Sequence, residues 1–267
     1  MTLKYGLLGH PLGHSFSRKF HNERFERLDI DAEYVNFDLE SVDLLPGVLA
    51  AEPQLRGLNV TIPYKQQVMQ FLDALDPVAE RIGAVNTIKV MRAPSDNAET
   101  KLQGLYLKGF NTDIIGFRDS IKPLLVEAGI LPSLDACAAD GTKALILGTG
   151  GASKAVCVAL EDMGITPVYV SRSAAPGRLT YADLTESLMS EYLVVVNCSP
   201  VGMFPHVDEC PAIPYSALSS RHVCYDLIYN PEVTQFLAKA KEQGAKTMSG
   251  GAMLEGQALA SYDIWVS

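Results

Sequence analysis

One segment in the second half of the chain constrains the fold more than any other. It runs from Lys143 to Val156 and reads KALILGTGGASKAV. An apolar stretch leads into a glycine-rich turn, and small and apolar residues then recur at helical spacing. A strand that enters a helix through such a turn is typical of a parallel sheet covered by helices. The segment therefore predicts an α/β fold.

The same turn indicates what this part of the chain binds. Gly148 permits a tight turn, and Gly150 would let the backbone approach a pyrophosphate at the start of the helix. Ser153 stands where the usual G-x-G-x-x-G pattern has its third glycine. The turn alone leaves two interpretations open, a dinucleotide site or a plain connection between a strand and a helix.

The end of the next predicted strand distinguishes two dinucleotides. The strand covers Pro167 to Val170 and is followed by Ser171, Arg172 and Ser173. An NAD site would place an acidic residue here for the ribose 2′-hydroxyl, whereas a small polar residue followed by arginine suits a 2′-phosphate. The sequence favours NADP, and the alternative is that Arg172 is only a solvated charge.

The composition argues against several classes of protein. The 267 residues carry a formal net charge of −9 without a basic cluster, so we expect no nucleic-acid or anionic-membrane surface. The cysteines are five in number and form no C-x-x-C pair, which fits neither a disulfide framework nor a zinc site. We expect reduced thiols, a cytoplasmic location, no metal, no export signal and no membrane-spanning segment.

The order of predicted elements gives the domain organisation. Strands and helices alternate up to about residue 128, and a loop rich in Pro, Asp and Ala over residues 131–141 precedes the glycine-turn strand. We predict an N-terminal domain over residues 1–112, a dinucleotide-binding domain over 113–245 and a C-terminal helical tail over 246–267. Within the first domain, Gln66 to Leu75 reads as a helix and Arg92 to Lys101 as a hairpin loop.

Three polar segments lie at the ends of predicted strands, where open α/β sheets bind ligands. They are GHPLGHSFS over residues 9–17, NVTIPYK over residues 59–65 and GFNTD over residues 109–113. The hydroxyls of Ser15 and Ser17 could hold a carboxylate, or one of them could cap the following helix.

Lys65 and Asp113 are the candidates for acid–base chemistry. Asp113 could instead cap the helix that follows it, as could Thr112. Together, Lys65 and Asp113 form a plausible proton-transfer pair for a hydroxyl that is being oxidised, because its proton must leave when the hydride leaves.

Eight motifs occur in register between about residue 4 and residue 265. They are residues 9–17, 59–65, 82–87 (IGAVNT), 109–113, 148–153, 197–203 (NCSPVGM), 225–231 (YDLIYNP) and 251–257 (GAMLEGQ). Together they resemble the motifs of shikimate dehydrogenases.

The resemblance implies a fold and a reaction. The fold would be an N-terminal α/β substrate-binding domain plus a Rossmann-type dinucleotide-binding domain, with a cleft between them and a last helix that returns to the first domain. The reaction would be the reversible, NADP-linked reduction of 3-dehydroshikimate to shikimate in aromatic amino-acid biosynthesis. The oligomeric state stays open, with a homodimer as one option.

The resemblance also implies a role for each matching residue. Lys65 and Asp113 would be the catalytic pair. The substrate would contact Ser15, Ser17, Thr61, Asn86 and Gln257. NADP would contact Gly148, Thr149, Gly150, Gly151, Ala152, Ser153, Ser171, Arg172 and Ser173, with Met203, Tyr229 and Gly251 near the nicotinamide or the cleft.

Some positions depart from the common family pattern. Arg18 stands where proline often follows the second serine, Phe110 where a small or acidic residue is frequent, and Ser171 where asparagine usually precedes the arginine. The change at Ser171 and the open role of Arg178 leave the strength of 2′-phosphate binding open. An NAD-dependent quinate/shikimate dehydrogenase is the second hypothesis, and the lack of an acidic residue at position 171 argues against it. A nucleotide-binding relative without turnover is the third, although such a protein would be expected to lack Lys65 or Asp113.

Overall fold

The structure is a computed structural model that describes residues 2–13, 16–92, 100–102 and 104–267. The chain divides into two compact units. The first unit consists of Met1–Thr112 together with Ala258–Ser267, and the second consists of Asp113–Gln257. The first unit is therefore discontinuous in sequence.

The first unit is built on a six-stranded mixed sheet with the order β2-β1-β3-β5-β6-β4. Strands β1, β2 and β3 are parallel, and β5 runs antiparallel to both β3 and β6. The strands are β1 (Leu3–Gly9), β2 (Ala32–Asp38), β3 (Leu55–Val60), β4 (Ala74–Leu75), β5 (Thr87–Arg92) and β6 (Leu105–Phe110). The helices are α1 (Phe16–Arg27), α2 (Leu45–Ala51) and α3 (Pro77–Ile82), with 3₁₀ helices at Val42–Leu44 and Gln67–Phe71.

Local sequence signals account for several of these boundaries. Helix α3 begins where the Asp76 side chain accepts a hydrogen bond from the Val78 amide, with Pro77 in the first turn. It ends at Gly83, whose φ of 67° is the left-handed conformation that closes a helix. Strand β3 is buried along almost its whole length, and its apolar residues belong to the main core of the unit.

The second unit contains a six-stranded sheet in which every strand pair is parallel, with the order β12-β11-β10-β7-β8-β9. The chain runs outward from β7 through β8 to β9 and then crosses to β10 on the other side of β7. This is the doubly wound order of dinucleotide-binding folds. The predicted α/β class with a Rossmann-type domain is confirmed.

The elements of the second unit follow one another in alternation. The strands are β7 (Lys143–Leu147), β8 (Thr166–Ser171), β9 (Arg178–Thr180), β10 (Val194–Asn197), β11 (Val223–Asp226) and β12 (Lys246–Met248). The helices are α4 (Asp113–Glu127), α5 (Gly151–Asp162), α6 (Glu186–Met189) and α7 (Gln235–Glu242), with 3₁₀ helices at Tyr181–Asp183 and Tyr215–Ala217. Helix α8 (Gly251–Val266) begins in the second unit, and from Ala258 onward it belongs to the first unit.

The predicted helix over Gln66 to Leu75 is wrong. A short 3₁₀ helix ends at Phe71, and Ala74–Leu75 forms β4 beside β6. The Asp73 carboxylate accepts hydrogen bonds from the Lys101 and Leu107 amides, each at 2.7 Å. These hydrogen bonds hold the chain at the edge of the sheet, so it forms a strand there although its apolar residues recur at helical spacing. Of the predicted loop over Arg92 to Lys101, residues 93–99 lie outside the described residues.

The tail predicted over residues 246–267 also needs correction. Residues Lys246–Met248 are strand β12 of the second unit, held by β11 and by the Lys246 amide, which donates to the His222 carbonyl. Helix α8 begins only at Gly251, and residues up to Gln257 belong to the second unit. The three strand residues are too few to show a period of two in the sequence.

The start of α8 packs closely on α4. A Cβ atom at Gly116 would lie 2.4 Å from the Met253 carbonyl oxygen, and one at Gly256 would lie 3.2 Å from the Gly116 Cα. The two helix backbones touch because both positions lack a side chain.

All five cysteines are free. Within the described ranges, no helix has the length and apolar content needed to cross a membrane. Over the same ranges, His, Cys, Asp and Glu side chains form no group of three or more that could hold a metal ion.

Trp265, near the end of α8, is seated on the first unit's sheet. Its indole Nε1 donates to the Ile88 carbonyl at 3.1 Å, and its ring stacks on Tyr5 with a centroid distance of 4.9 Å. A Cβ atom at Gly57 would lie 2.3 Å from the indole Cδ1. The absence of a side chain at Gly57 therefore makes the seat for the indole.

We predict that Gly57→Ala lowers the free energy of unfolding by about 1–3 kcal/mol, because the added methyl group must displace the indole. Urea denaturation measures the change. Gly47→Ala is the matched control: Gly47 lies inside α2 with no atom within 4 Å of its Cβ position, and the change should stabilise the protein by about 0.5–1 kcal/mol. Equal midpoints for Gly57→Ala and the parent protein would contradict the proposed seat.

Candidate functional site

At one position, the glycine-rich turn has a backbone conformation that favours glycine. Gly148 has a φ of 107°, and a Cβ atom there would also lie 3.2 Å from the Cys198 backbone. Gly150 is the N-cap of α5, and the position of its missing Cβ has no atom within 4 Å. The space in front of the helix start is open.

Ser153 replaces the third glycine without loosening the turn. It is fully buried, and both its amide and its hydroxyl donate to the Gly150 carbonyl, at 3.1 and 2.7 Å. The first amides of a helix have no partner within the helix and favour an anion. Thr149, Gly150, Gly151 and Ala152 are exposed or half-buried around this point. The residues present therefore fit a pyrophosphate.

The end of β8 carries the predicted discriminating residues. Ser171 is the last residue of β8, and its hydroxyl donates to the Ser173 carbonyl, which folds the chain back on itself. Arg172 and Ser173 are exposed. Arg172 and Arg178, the first residue of β9, make no ion pair with any residue in the described part of the chain. An exposed guanidinium group directly after β8, with a second at the start of the neighbouring β9, suits a dianionic ligand.

The segments that follow β10 and β11 carry the remaining predicted cofactor contacts. Met203 and Tyr229 are each 46% exposed, which is high for such large apolar side chains. The Phe204 amide donates to the Asn230 carbonyl at 3.2 Å, so the two segments lie side by side. Gly251 is exposed at the first position of α8.

Behind these segments lies a buried carboxylate. Asp226, the last residue of β11, is fully buried and accepts hydrogen bonds from Asn197, Ile228 and Thr234. Burial raises the pKa of Asp226 to about 6, and the three hydrogen bonds oppose that rise.

A buried polar network occupies the first unit at the ends of its central strands. The Tyr34 hydroxyl donates to Asn59 Oδ1 at 2.8 Å, and Asn59 Nδ2 donates to Ser261 Oγ at 2.8 Å. The Ser261 hydroxyl also lies 2.8 Å from Thr87 Oγ1 and 3.0 Å from Thr112 Oγ1. The network joins residues from β2, β3, β5 and α8.

Asn86 belongs to this network. Its Nδ2 donates to Thr112 Oγ1 at 3.0 Å, and its Oδ1 accepts from the Thr112 amide at 2.7 Å. Only 2% of Asn86 is exposed. Asn86 thus holds the chain just before Asp113, a role that the sequence does not reveal.

The other predicted substrate contacts in the first unit surround the network. Ser17 is buried in α1 and forms a hydrogen bond with the Tyr34 hydroxyl. Burial raises the pKa of Tyr34 well above its usual value, and the hydrogen bond with Ser17 opposes this rise. Thr61 is half-buried directly after β3, and its amide donates to the Leu8 carbonyl at 2.9 Å. Ser15 lies outside the described residues.

The two candidate catalytic residues belong to different units. Lys65 is half-buried in the turn after β3, ahead of the 3₁₀ helix, and its carbonyl accepts from the Val85 amide at 2.7 Å. Asp113 is the first residue of α4 and is 7% exposed. In the second unit, Gln257 is 8% exposed and its Nε2 donates to the Leu254 carbonyl at 3.0 Å.

Sequence reasoning missed several polar residues that organise these sites, among them Tyr34, Asn59, Asn197, Asp226 and Ser261. A signal was present for three of them. Asn59, Asn197 and Asp226 each lie within or at the end of a mostly apolar strand, and a polar residue in that position must find partners when it is buried.

His21 lies beside the same network and generates a pH prediction. Its ring stacks on Tyr34 with a centroid distance of 4.6 Å, and neither ring nitrogen has a hydrogen-bond partner among the described residues. Burial, assisted by the charge of Arg24, lowers the pKa of His21 from 6.5 to about 3. The folded state therefore binds fewer protons than the unfolded state between those two values.

We predict that the free energy of unfolding decreases as the pH falls from about 6.5 towards 3, and that His21→Phe reduces this decrease by up to about 1.4 kcal/mol per pH unit. Urea denaturation at several pH values measures it. The exposed His206 gives the control: His206→Phe should leave the slope unchanged. An unchanged slope in His21→Phe would mean that His21 is protonated in the folded state.

Two comparisons of the sequence with known proteins give matches to the same family. Residues 7–88 match the family model described as the shikimate dehydrogenase substrate binding domain. A shikimate dehydrogenase (NADP⁺) from Desulforamulus reducens is 37% identical over 97% of this chain and 88% of its own length.

Solved structures of shikimate dehydrogenases are also similar to this chain. A shikimate dehydrogenase crystallised with NADP⁺ has a TM-score of 0.81 and 30% identity, covering 99% of this chain and 90% of that one. The shikimate 5-dehydrogenase of Thermus thermophilus, crystallised with NADP(H) and shikimate, has a TM-score of 0.77 and 30% identity, covering 99% of this chain and 93% of that one.

Proposed function

The chain belongs to the shikimate dehydrogenase family, and on that premise we propose how its residues carry out the family's reaction. The reaction is the reversible, NADPH-dependent reduction of 3-dehydroshikimate to shikimate, a step in aromatic amino-acid biosynthesis. The observation that carries this function is the 37% identity to a curated NADP⁺ enzyme over 97% of the chain. The open glycine turn and the exposed Arg172, directly after β8 of the second unit, add physical support.

In this proposal NADP binds to the second unit, which contains the predicted dinucleotide-binding domain over residues 113–245 and continues to Gln257. The amides around Gly150 and the start of α5 hold the pyrophosphate, and the Arg172 guanidinium binds the 2′-phosphate beside Ser171 and Ser173. Met203, Tyr229 and Gly251 lie near the nicotinamide. When bound, NADP supplies the hydride for the reduction or accepts it in the reverse direction.

The first unit binds the substrate. Ser17, with Ser15, donates hydroxyl hydrogen bonds to the substrate carboxylate. Thr61 and Asn86 contact the ring hydroxyls, and Gln257, from the second unit, is a further contact. The buried network behind Asn86 fixes the direction of its amide, because both ends of that amide are already bonded to Thr112.

Lys65 and Asp113 handle the proton. During oxidation of shikimate, the reacting hydroxyl loses a proton, and Lys65 takes it from that oxygen. In the direction of reduction, the Lys65 ammonium returns the proton to the carbonyl oxygen. The Asp113 carboxylate bonds to the same reacting group and orients it.

We predict that Lys65→Ala lowers kcat by a factor of about 10² to 10⁴, the usual contribution of a positioned acid or base, while the protein stays folded. Initial rates with shikimate and NADP⁺, together with circular dichroism, measure both. Lys241→Ala is the control, because Lys241 is an exposed lysine in the last turn of α7. Unchanged turnover in Lys65→Ala would remove Lys65 from the mechanism.

We predict that Arg172→Ala raises the KM for NADP⁺ much more than the KM for NAD⁺, because only NADP⁺ carries the 2′-phosphate. Arg221→Ala is the matched control, since Arg221 is exposed just before β11, at the opposite end of a strand from the nucleotide segments. Equal effects on the two cofactors would make Arg172 a surface charge only.

One experiment tests the function against its alternatives. Initial rates are measured with shikimate and with quinate, each paired with NADP⁺ and with NAD⁺. Activity confined to shikimate and NADP⁺ supports the proposal. Comparable rates with quinate or NAD⁺ favour the second hypothesis, and no activity in any pairing favours a nucleotide-binding relative. A homodimer and a cytoplasmic location stay predictions.

A further inference from the structure

Two of the motifs found in the sequence, at residues 197–203 and 225–231, contain buried polar residues that the proposed reaction does not use. Asn197 ends β10 and Asp226 ends β11, and the two residues are paired in register in the parallel sheet. Both are fully buried. Their side chains are hydrogen-bonded to each other at the edge of the sheet where both strands end and the segments that carry Met203 and Tyr229 begin.

The Asn197 side chain is bonded within its own segment and across to the next. Its Oδ1 accepts from the Ser199 amide at 3.0 Å and from the Ser199 hydroxyl at 2.6 Å. Its Nδ2 donates to the Val201 carbonyl at 3.4 Å and to Asp226 Oδ1 at 3.0 Å. The first segment is thus tied, through one amide group, to the carboxylate at the end of β11.

Asp226 ties the second segment to the same point. Its Oδ1 also accepts from the Ile228 amide at 3.0 Å, and its Oδ2 accepts from the Thr234 hydroxyl at 2.6 Å. Thr234 in turn caps α7 by accepting from the Leu237 amide at 3.3 Å. The carboxylate therefore fixes the start and the end of the residues from Leu227 to Thr234.

We propose that Asp226, acting through Asn197 and Thr234, is a positioning residue that sets the two segments carrying Met203 and Tyr229 for the nicotinamide half of NADP. The proposal rests on the proposed function, since that function places Met203 and Tyr229 beside the nicotinamide. Asn197 and Asp226 are the two side chains through which the segments are bonded to each other at this point. The adenosine half is held elsewhere, by the glycine turn and the end of β8.

A carboxylate fits this position better than any other side chain. It accepts from three donors on three different parts of the chain, and all three are buried or half-buried. In Asp226→Asn, an NH₂ group replaces the oxygen that faces Thr234, and this group can donate but not accept. The Thr234 hydroxyl hydrogen then loses its buried acceptor, so the end of the second segment is held less firmly while the strands keep their pairing.

The test separates the two halves of the cofactor. Equilibrium binding of NADP⁺ and of adenosine 2′,5′-bisphosphate, which lacks the nicotinamide half, is measured by titration calorimetry for the parent protein and for Asp226→Asn. We expect NADP⁺ binding to weaken by about tenfold and bisphosphate binding to change by less than about twofold. In initial-rate assays, kcat should fall while the KM for shikimate stays the same.

Controls make each outcome decisive. Asp140→Asn makes the same chemical change on an exposed loop of the second unit and should leave both affinities unchanged. Should Asp226→Asn fail to fold, Thr234→Val removes the same hydrogen bond, and Thr234→Ser, which keeps the hydroxyl, should restore NADP⁺ binding. Equal weakening of both ligands, or no weakening of either, would overturn the proposal. A parent protein that binds neither ligand would instead overturn the proposed function.

Discussion

Parallel pairing in the second unit brings distant parts of the chain to one edge of its sheet. In register, Leu147 of β7 lies between Val170 of β8 and Asn197 of β10, and Asn197 lies beside Asp226 of β11. The glycine turn after β7, the residues from Ser171 to Ser173 after β8, and the segments after Asn197 and Asp226 therefore all leave the sheet at the same edge. Each of these sites depends on that shared direction.

The first unit uses a related arrangement for a different purpose. Strands β1 and β3 are parallel, so Gly9, the last residue of β1, and Thr61, directly after β3, lie at the same edge. The antiparallel β5 then begins at that edge, which brings Thr87 opposite Asn59. Here the polar side chains turn inward and bond to one another, whereas in the second unit the helix start at Gly150 is exposed. A substrate with several hydroxyls suits the first kind of site and a phosphate suits the second.

Much of the fold could be predicted from the sequence, because its signals are local. The glycine turn predicted β7 and α5, and the apolar run from Pro167 to Val170 predicted β8. Strand β12 and the pair of β4 with β6 could not be predicted in this way. Their residues are too few to show a period, and they are strands only because a distant strand supplies hydrogen-bond partners. The candidate site divides in the same manner: Arg172 follows from its place in the pattern, whereas the bonds of Asn86 and Asp226 become visible only when separated strands meet.

The seat of Trp265 has a consequence for how the protein forms in the cell. The ring cluster of Tyr5, Phe25 and Tyr34 is closed by Trp265, which follows the whole second unit in the sequence. A ribosome delivers the first 112 residues long before that indole. The first unit must therefore wait, with its aromatic side chains partly uncovered, while the whole second unit is synthesised. The unit whose synthesis begins first is thus completed only after the second unit has been made.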